Sequence, residues 1–153
     1  MNTPGSLTMG EIFADLAPET LEDFRALGQK GSYSAGATLF KTGEVCSGVF
    51  WIYSGQVRVS VSDTLDQSAV SHIALPGELL GLQSALCGEP HEATARAEGP
   101  TEVNFLSRDS LSKFLFSHPD AAFRIVERLS DRLRIAMEQF RFFSRFTPLR
   151  PLN

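Results

Sequence analysis

The chain is poor in cysteine and has no excess of positive charge. Its only cysteines are Cys46 and Cys87. Two thiols cannot supply the four ligands of a structural zinc ion or iron–sulfur cluster, nor the disulfide framework of a secreted domain. The 18 acidic residues outnumber the 14 lysines and arginines, so the net charge is −4. Because a protein that grips duplex DNA must neutralise phosphates, this balance argues against DNA binding by this chain alone.

Long apolar runs are also absent. No stretch approaches the roughly 20 apolar residues that span a bilayer. Residues 1–5 lack the basic and apolar regions of a secretory signal. We therefore expect a cytoplasmic protein without membrane contact. The 153 residues, 42% of them hydrophobic, are enough for one domain with its own core.

Signatures of catalysis are missing as well. A metal-dependent β-roll enzyme of the cupin type needs a cluster of histidine and glutamate ligands, but the sequence has no His-x-His pair, and His72 and His91 lie 19 positions apart. No Ser–His–Asp or Cys–His arrangement stands in a recognisable context. We expect neither an enzyme nor a metal site.

The pattern of the chain changes from helical to β-rich and back. Residues 9–28 have helical periodicity, with a break where Pro18 ends one helix and opens the next. Between Tyr33 and Leu106, short β-rich runs alternate with turn residues, and Ser54-Gly55 is typical of a hairpin turn. The predicted strands are 38–40, 49–53, 56–61, 70–74, 94–97 and 102–106. Many short strands with glycine turns favour a small barrel or roll, with Trp51 in its core.

The final part of the sequence predicts a short helix over 110–117 and a long one over 119–143. Apolar residues recur along the long helix at alternating spacings of four and three, namely Ala122, Val126, Leu129, Leu133, Ala136, Phe140 and Phe143. This seam favours a two-stranded coiled coil, and the alternative is a helix packed lengthwise on its own domain. Phe123, Ile125 and Met137 lie off the seam and predict partial packing on the roll.

These patterns divide the chain into three parts. We expect a domain over 9–118, a dimerisation helix over 119–143 and a loose tail over 144–153, where two prolines prevent a helix. The expected partner is a second copy of the chain, bound through the long helix.

Three stretches then resemble one family. Residues 39–59 are similar to the opening strands of cyclic-nucleotide-binding domains, residues 75–81 to the segment that leads into their phosphate-binding cassette, and Pro119-Asp120 to the start of the dimerisation helix of Crp–Fnr transcription regulators. The resemblance covers about residues 10–143. It implies a mainly β fold with flanking helices: a double-stranded, jelly-roll-like β-roll with short N-terminal helices and a long C-terminal helix.

The family's nucleotide site combines backbone and side-chain groups. A short helix after a glycine offers N–H groups to the cyclic phosphate. A glutamate directly after that glycine binds the ribose, and an arginine followed by Ser or Thr, about ten residues on, neutralises the phosphate. The resemblance places the glycine at Gly81, but Leu82 stands at the glutamate position and His91-Glu92-Ala93 at the Arg-Ser/Thr-Ala position. Arg96 lies too far along the chain to compensate.

We therefore do not expect tight cyclic AMP binding of the usual kind, and the cassette resembles the Fnr-like branch of the family more closely. Loss of a buried charge-assisted pair costs about 2–5 kcal/mol, or roughly 30- to 4,000-fold in affinity. The residues that remain as candidates for ligand contact are Leu80, Gly81, Leu82, Gln83, Ser84, His91, Glu92 and Ala93.

Other occupants of the cassette stay open. Fnr-like relatives sense iron–sulfur clusters, haem or 2-oxoglutarate, and the cysteine count excludes a cluster. Haem requires an axial ligand, for which His72, His91 and His118 are the available candidates, although surface or capping histidines are commoner. No cofactor is predicted, and an unknown small effector fits the pattern. Cys87, beside the cassette, is either redox-active or a small semi-buried residue.

The sequence as a whole predicts the sensory and dimerisation domain of a Crp–Fnr-like regulator, in which a change in the roll alters the packing of the long helix. One alternative is an interaction module without a ligand that heterodimerises with full-length regulators. Another is a genuine cyclic-nucleotide-binding domain. Family regulators read DNA with a winged helix-turn-helix after the dimerisation helix, so DNA contact is expected only through such a domain, which these 153 residues do not contain.

Overall fold

The computed structural model of the protein describes residues 6–63 and 66–146, and for residues 62–63, 66–70 and 143–146 it describes the backbone alone. The strands are β1 (Leu7–Thr8), β2 (Gln29–Tyr33), β3 (Thr38–Phe40), β4 (Gly48–Ser54), β5 (Val57–Asp63), β6 (Asp66–Ala74), β7 (Glu78–Leu80), β8 (Thr94–Ala97) and β9 (Thr101–Ser107). The helices are α1 (Met9–Phe13), α2 (Pro18–Leu27), α3 (Leu82–Cys87), α4 (Arg108–Ser117) and α5 (Pro119–Phe146).

The strands form two antiparallel sheets that pack face to face. The first has the order β1-β7-β4-β9-β2 and the second β3-β8-β5-β6. Between them lies one hydrophobic cluster, built from Phe50, Ile52 and Val103 of the first sheet and from Val57, Val59 and Ala95 of the second. This architecture confirms the predicted double-stranded β-roll with flanking helices.

The central strand β4 is buried on both faces. Phe50 and Ile52 point into the space between the sheets, whereas Val49 and Trp51 belong to a second cluster on the outer face, under the helices. Because both faces are covered, the strand is a continuous apolar run instead of an alternating one. Trp51 is a core residue, as predicted, and contacts Phe24 at a ring-centroid distance of 6.1 Å.

The predicted hairpin at Ser54-Gly55 is wrong. Strands β4 and β5 belong to different sheets, and no pairing joins them. Gly55 has a φ of 90°, and a Cβ there would lie 2.5 Å from the carbonyl oxygen of Pro100. The glycine therefore allows the chain to cross from one sheet to the other against a neighbouring loop, which a local turn signal does not distinguish from a hairpin.

Several boundaries also differ from the prediction. Residues 29–33 form strand β2, which the polar sequence Gln-Lys-Gly-Ser-Tyr did not indicate, and the roll begins with β1, before residue 9. Helix α4 begins at Arg108, two residues earlier than predicted. Helix α5 continues through residues 144–146, which were expected to be loose, and the rest of the predicted tail lies outside the described residues.

Helix α5 carries two different apolar faces. Ala121 and Ile125 are buried against the helices and outer sheet face, and Leu129 packs partly against the same cluster. On this side Arg124 pairs with Asp15 at 3.2 Å and Arg132 pairs with Glu11 at 2.9 Å, so the helix is bound to the N-terminal segment. The helix is therefore attached to its own domain along about its first half.

The second face of α5 is the predicted seam. Val126, Leu133 and Phe140 are 58%, 62% and 62% exposed within the single chain, Ala136 is also exposed and Ala122 is half-buried. At 100° per residue this face is about a quarter turn from the packed one, and Leu129 lies between the two. The side chain of Phe143 is outside the described residues.

The predicted packing of the off-seam residues is confirmed only for Ile125. Phe123 and Met137 are 65% and 49% exposed and do not pack on the roll. At 100° per residue, both lie beside the seam on the surface of the helix. They widen the exposed apolar face instead of anchoring the helix to its domain.

Two phenylalanines of α4 provide a matched test of the core under the helices. Phe114 is 1% exposed and contacts the rings of Phe13 and Phe24, whereas Phe116 is 89% exposed. We expect Phe114→Ala to lower the free energy of unfolding by about 3–5 kcal/mol, since it leaves a cavity. Phe116→Ala should change it by less than ~0.5 kcal/mol. Equal effects in urea denaturation would contradict this arrangement of α4.

Candidate ligand-binding cavity

A cavity of about 230 Å³ opens between the two sheets beside helix α3. All eight residues that the sequence nominated for ligand contact line it. Leu80 ends strand β7, residues 81–84 form the turn and first residues of α3, and residues 91–93 precede strand β8. The structure thus brings together two segments that are separated in the sequence by a loop.

Six residues outside the eight candidates also line the cavity, namely Ser6, Phe40, Val59, Val61, His72 and Leu79. Of these, only His72 was considered from the sequence, as a haem ligand. Two of these residues, Val59 and His72, are cross-strand partners in the second sheet. Val59 stands opposite both Ala95 of β8 and His72 of β6, so the inward face of the second sheet forms one wall. The alternation of β5 was visible in the sequence, but its pairing with β6 and β8 was not.

Gly81 forms the turn between β7 and α3. Its φ is 85°, and a Cβ there would lie 3.2 Å from the carbonyl oxygen of Gly48 and 3.3 Å from Cε1 of His91. Backbone conformation and the approach of the imidazole therefore both favour glycine at this position. The Gly81 carbonyl accepts hydrogen bonds from the Ala85 amide and the Cys46 thiol.

The imidazole of His91 is a buried wall of the cavity. The residue is 4% exposed, and its ring stacks on Phe40 at a centroid distance of 3.8 Å and an interplanar angle of 12°. Backbone hydrogen bonds to Gly43 and Glu44 fix its position. Burial lowers the pKa of His91, and the nearby Glu44 opposes that shift only in part. The imidazole is therefore neutral at pH ~7.

His72 supplies a second imidazole to the same cavity. Its Nε2 atom is buried and has no hydrogen-bond partner among the described residues. An unpaired buried polar atom costs about 1–3 kcal/mol. A residue that lines the cavity therefore has a buried polar atom that is left unsatisfied by the part of the chain that the structure describes.

Comparison with known proteins places this geometry in a family. Residues 30–118 match the family model of the cyclic nucleotide-binding domain. The chain belongs to that family. The cyclic AMP receptor protein of Thermus thermophilus is 29% identical over 125 residues, which are 82% of this chain and 58% of the receptor. The chain thus spans less than two thirds of that relative.

Solved structures agree with the family model. The crystal structure of the Thermus thermophilus catabolite activator protein is 26% identical, has a TM-score of 0.77, and matches over 88% of this chain and 63% of that one. The N-terminal domain of a transcriptional regulator from Streptomyces coelicolor A3(2) has a TM-score of 0.74 at 22% identity, over 86% of this chain and 92% of that domain. The chain is a cyclic nucleotide-binding domain of the kind found in Crp–Fnr regulators.

The described walls of this family member's cavity contain no cation. None of its described lining residues is a lysine or arginine, and Glu92 adds a carboxylate at its edge. Arg96 is exposed, while Arg58 pairs with Glu98 and Arg108 donates to the carbonyl of Ala85. The position that the resemblance gives to the phosphate-binding arginine is held by His91.

Other residues considered from the sequence lie away from the cavity. His118 joins α4 to α5 and pairs with Asp23 at 3.0 Å, so only two of the three histidines face the cavity. Haem is larger than most drug-sized ligands, whose sites measure about 300–1,000 Å³, and would require the walls to move apart. Cys87 ends α3 and is exposed, not semi-buried, whereas Cys46 is buried, which raises the pKa of its thiol.

The N-terminal segment connects the cavity to α5. Ser6 lines the cavity and donates a hydrogen bond to the buried Glu78 at 3.1 Å, and Leu7 pairs with Leu79 of β7. Four residues later Glu11 accepts two hydrogen bonds from Arg132 of α5, at 2.9 and 3.0 Å. The same short segment therefore contacts both the cavity and helix α5.

No helix of the described residues is long and apolar enough to cross a membrane, and none of their His, Cys, Asp and Glu side chains form a metal-binding group of three.

Burial of His91 should make stability depend on pH. The unfolded imidazole takes up a proton near pH ~6.5, whereas the folded one resists it to lower pH. The unfolded state then binds more protons, so stability is complete above pH ~6.5 and falls as the pH decreases below it. We expect the Tm of wild type to fall more between neutral pH and pH ~5 than that of His91→Leu.

The control for this measurement is His118→Leu, which removes a histidine outside the cavity and should keep the His91 component. The same loss of Tm in wild type and His91→Leu would show that His91 does not resist protonation.

Proposed function

We propose that this chain is the sensory and dimerisation domain of a Crp–Fnr-like transcription regulator whose cavity does not hold a cyclic nucleotide in the family's usual way. The observation that carries the proposal is a family cavity whose described walls contain no cation. DNA contact would require a winged-helix domain, and we propose no enzymatic activity.

The phosphate is the part of a cyclic nucleotide that this cavity is least suited to hold. A cyclic phosphate carries a full negative charge, and a buried anion needs a cationic partner or several hydrogen bonds. The residue at the expected arginine position is the neutral His91, stacked on Phe40, and the next residue is the acidic Glu92. Leu82, at the position expected for the ribose-binding glutamate, is 1% exposed and packs in the core under the helices.

Isothermal titration of cyclic AMP and cyclic GMP tests this proposal. We expect affinity at least about 30-fold weaker than a site with a paired arginine would give, hence no heat at micromolar ligand. Micromolar binding of either nucleotide would contradict the proposal and favour a genuine cyclic-nucleotide-binding domain.

The proposal that the chain dimerises rests on α5. Its seam is exposed over about four turns, from Val126 to Phe140, except at Leu129, which also packs on the core. An apolar stripe of this length and spacing is typical of a two-stranded interface. The same stripe supports a second candidate function, a module that pairs with a related full-length regulator through α5.

Substitution of the seam tests dimerisation without disturbing the domain. Val126 and Leu133 are better targets than Leu129, which also packs on the core. We expect Val126→Glu/Leu133→Glu to be monomeric in sedimentation equilibrium, because like charges would face each other across the seam. The matched control is Ile135→Glu/Phe142→Glu on a different, exposed side of α5.

The control variant should remain dimeric. A wild type that is already monomeric at high micromolar concentration would contradict the homodimer and leave the heterodimeric module as the role of the seam. An unchanged mass in the seam variant would contradict the coiled coil.

A further inference from the structure

We infer that the cavity binds an uncharged, single-ring molecule whose polar group hydrogen-bonds to His91 and His72. This inference deepens the proposed function, since it names the ligand class of the same cavity. It rests on the size of the cavity, on the two imidazoles that face it and on the charges around it.

The size of the cavity limits the ligand. An apolar cavity of about 150 Å³ is known to hold benzene, and this one measures about 230 Å³. That leaves space for one ring and a short substituent. Its walls include Phe40, Val59 and Leu80, and the free energy falls when such apolar surfaces cover an apolar ligand.

The two imidazoles define the polar part of the ligand. His91 is 4% exposed, lines the cavity and stacks its ring on Phe40. The Nε2 of His72, which also lines the cavity, is buried and has no hydrogen-bond partner among the described residues. A neutral imidazole has one donor and one acceptor nitrogen. A hydroxyl group, which donates and accepts at once, suits a neutral imidazole whichever of its nitrogens carries the proton.

The charges around the cavity exclude ionic ligands. An anion would meet Glu92 and no cation among the described wall residues, and burial keeps His91 from acquiring the compensating charge. An ammonium ion would lose its hydration among aliphatic walls, and Glu92 is an exposed residue that does not enclose it. The favoured ligand is therefore neutral.

A series of probes with equal shape and different charge tests this inference. The probes are 2-phenylethanol, phenylacetate and 2-phenylethylamine, which are neutral, anionic and cationic at neutral pH. Each is titrated into the full chain by isothermal calorimetry, and the imidazole resonances are followed by NMR. We expect phenylethanol to bind at millimolar concentration or below and to shift His72 and His91 but not His118. We expect the two ions to bind at least about ten-fold more weakly.

Variants connect the binding to the two histidines. His91→Leu and His72→Leu should each weaken phenylethanol binding roughly three- to ten-fold, the loss expected for one hydrogen bond. His118→Leu is the matched control and should leave binding unchanged. If His91→Leu fails to fold, His72→Leu still tests the inference by its phenylethanol affinity, because His72 is only partly buried.

Binding of phenylacetate or phenylethylamine as tightly as phenylethanol would overturn the inference. So would full affinity in both cavity variants, or no binding of any probe at millimolar concentration. The two proposals fail separately, because cyclic nucleotide binding or a monomeric wild type tests the proposed function, whereas this series tests only the ligand class.

Discussion

Strand β7 holds the rest of the site in place, although it contains only three residues. Glu78, Leu79 and Leu80 are all buried, and the strand pairs with β4 on one side and with β1 on the other. Its first residue closes the preceding turn, where the Glu78 carboxylate accepts the Leu75 amide at 2.6 Å. Its last residue, Leu80, directly precedes Gly81 and the start of α3. The cavity and the N-terminal segment therefore both depend on this pairing.

The turn at Gly81 shows which part of the family's chemistry this chain keeps. The left-handed glycine and the short helix behind it are present, as the resemblance predicts for the backbone part of the site. At the position that the resemblance gives to an arginine stands the stacked, neutral imidazole of His91. A phosphate is held by charge, whereas this wall offers aromatic surface and single hydrogen bonds. In our proposal, the fold of the site and its ligand preference are therefore separable.

Sequence reasoning reached the eight cassette residues through the resemblance to cyclic-nucleotide-binding domains, which local motifs such as the glycine turn at 75–81 carry. It did not place Phe40 in the cavity and considered His72 only as a haem ligand, because both reach the cavity only through the pairing of β3, β8, β5 and β6, and pairing between distant strands has no local signal. The same limit explains the wrong hairpin at Ser54-Gly55. For α5 the heptad pattern identified an exposed seam, but not that Phe123 and Met137 lie beside it. Those positions depend on which face of the helix meets the roll.

The central claim is that side-chain charge, and not the backbone cradle, decides what this cavity accepts. The most direct test restores the family pattern in the variant Leu82→Glu/His91→Arg/Glu92→Ser and compares its cyclic AMP affinity with that of wild type by isothermal titration. The account predicts that wild type shows no binding at micromolar nucleotide and that the restored variant gains at least about 30-fold. Equal, micromolar affinity in the two proteins would contradict it, because the backbone around Gly81 would then be sufficient.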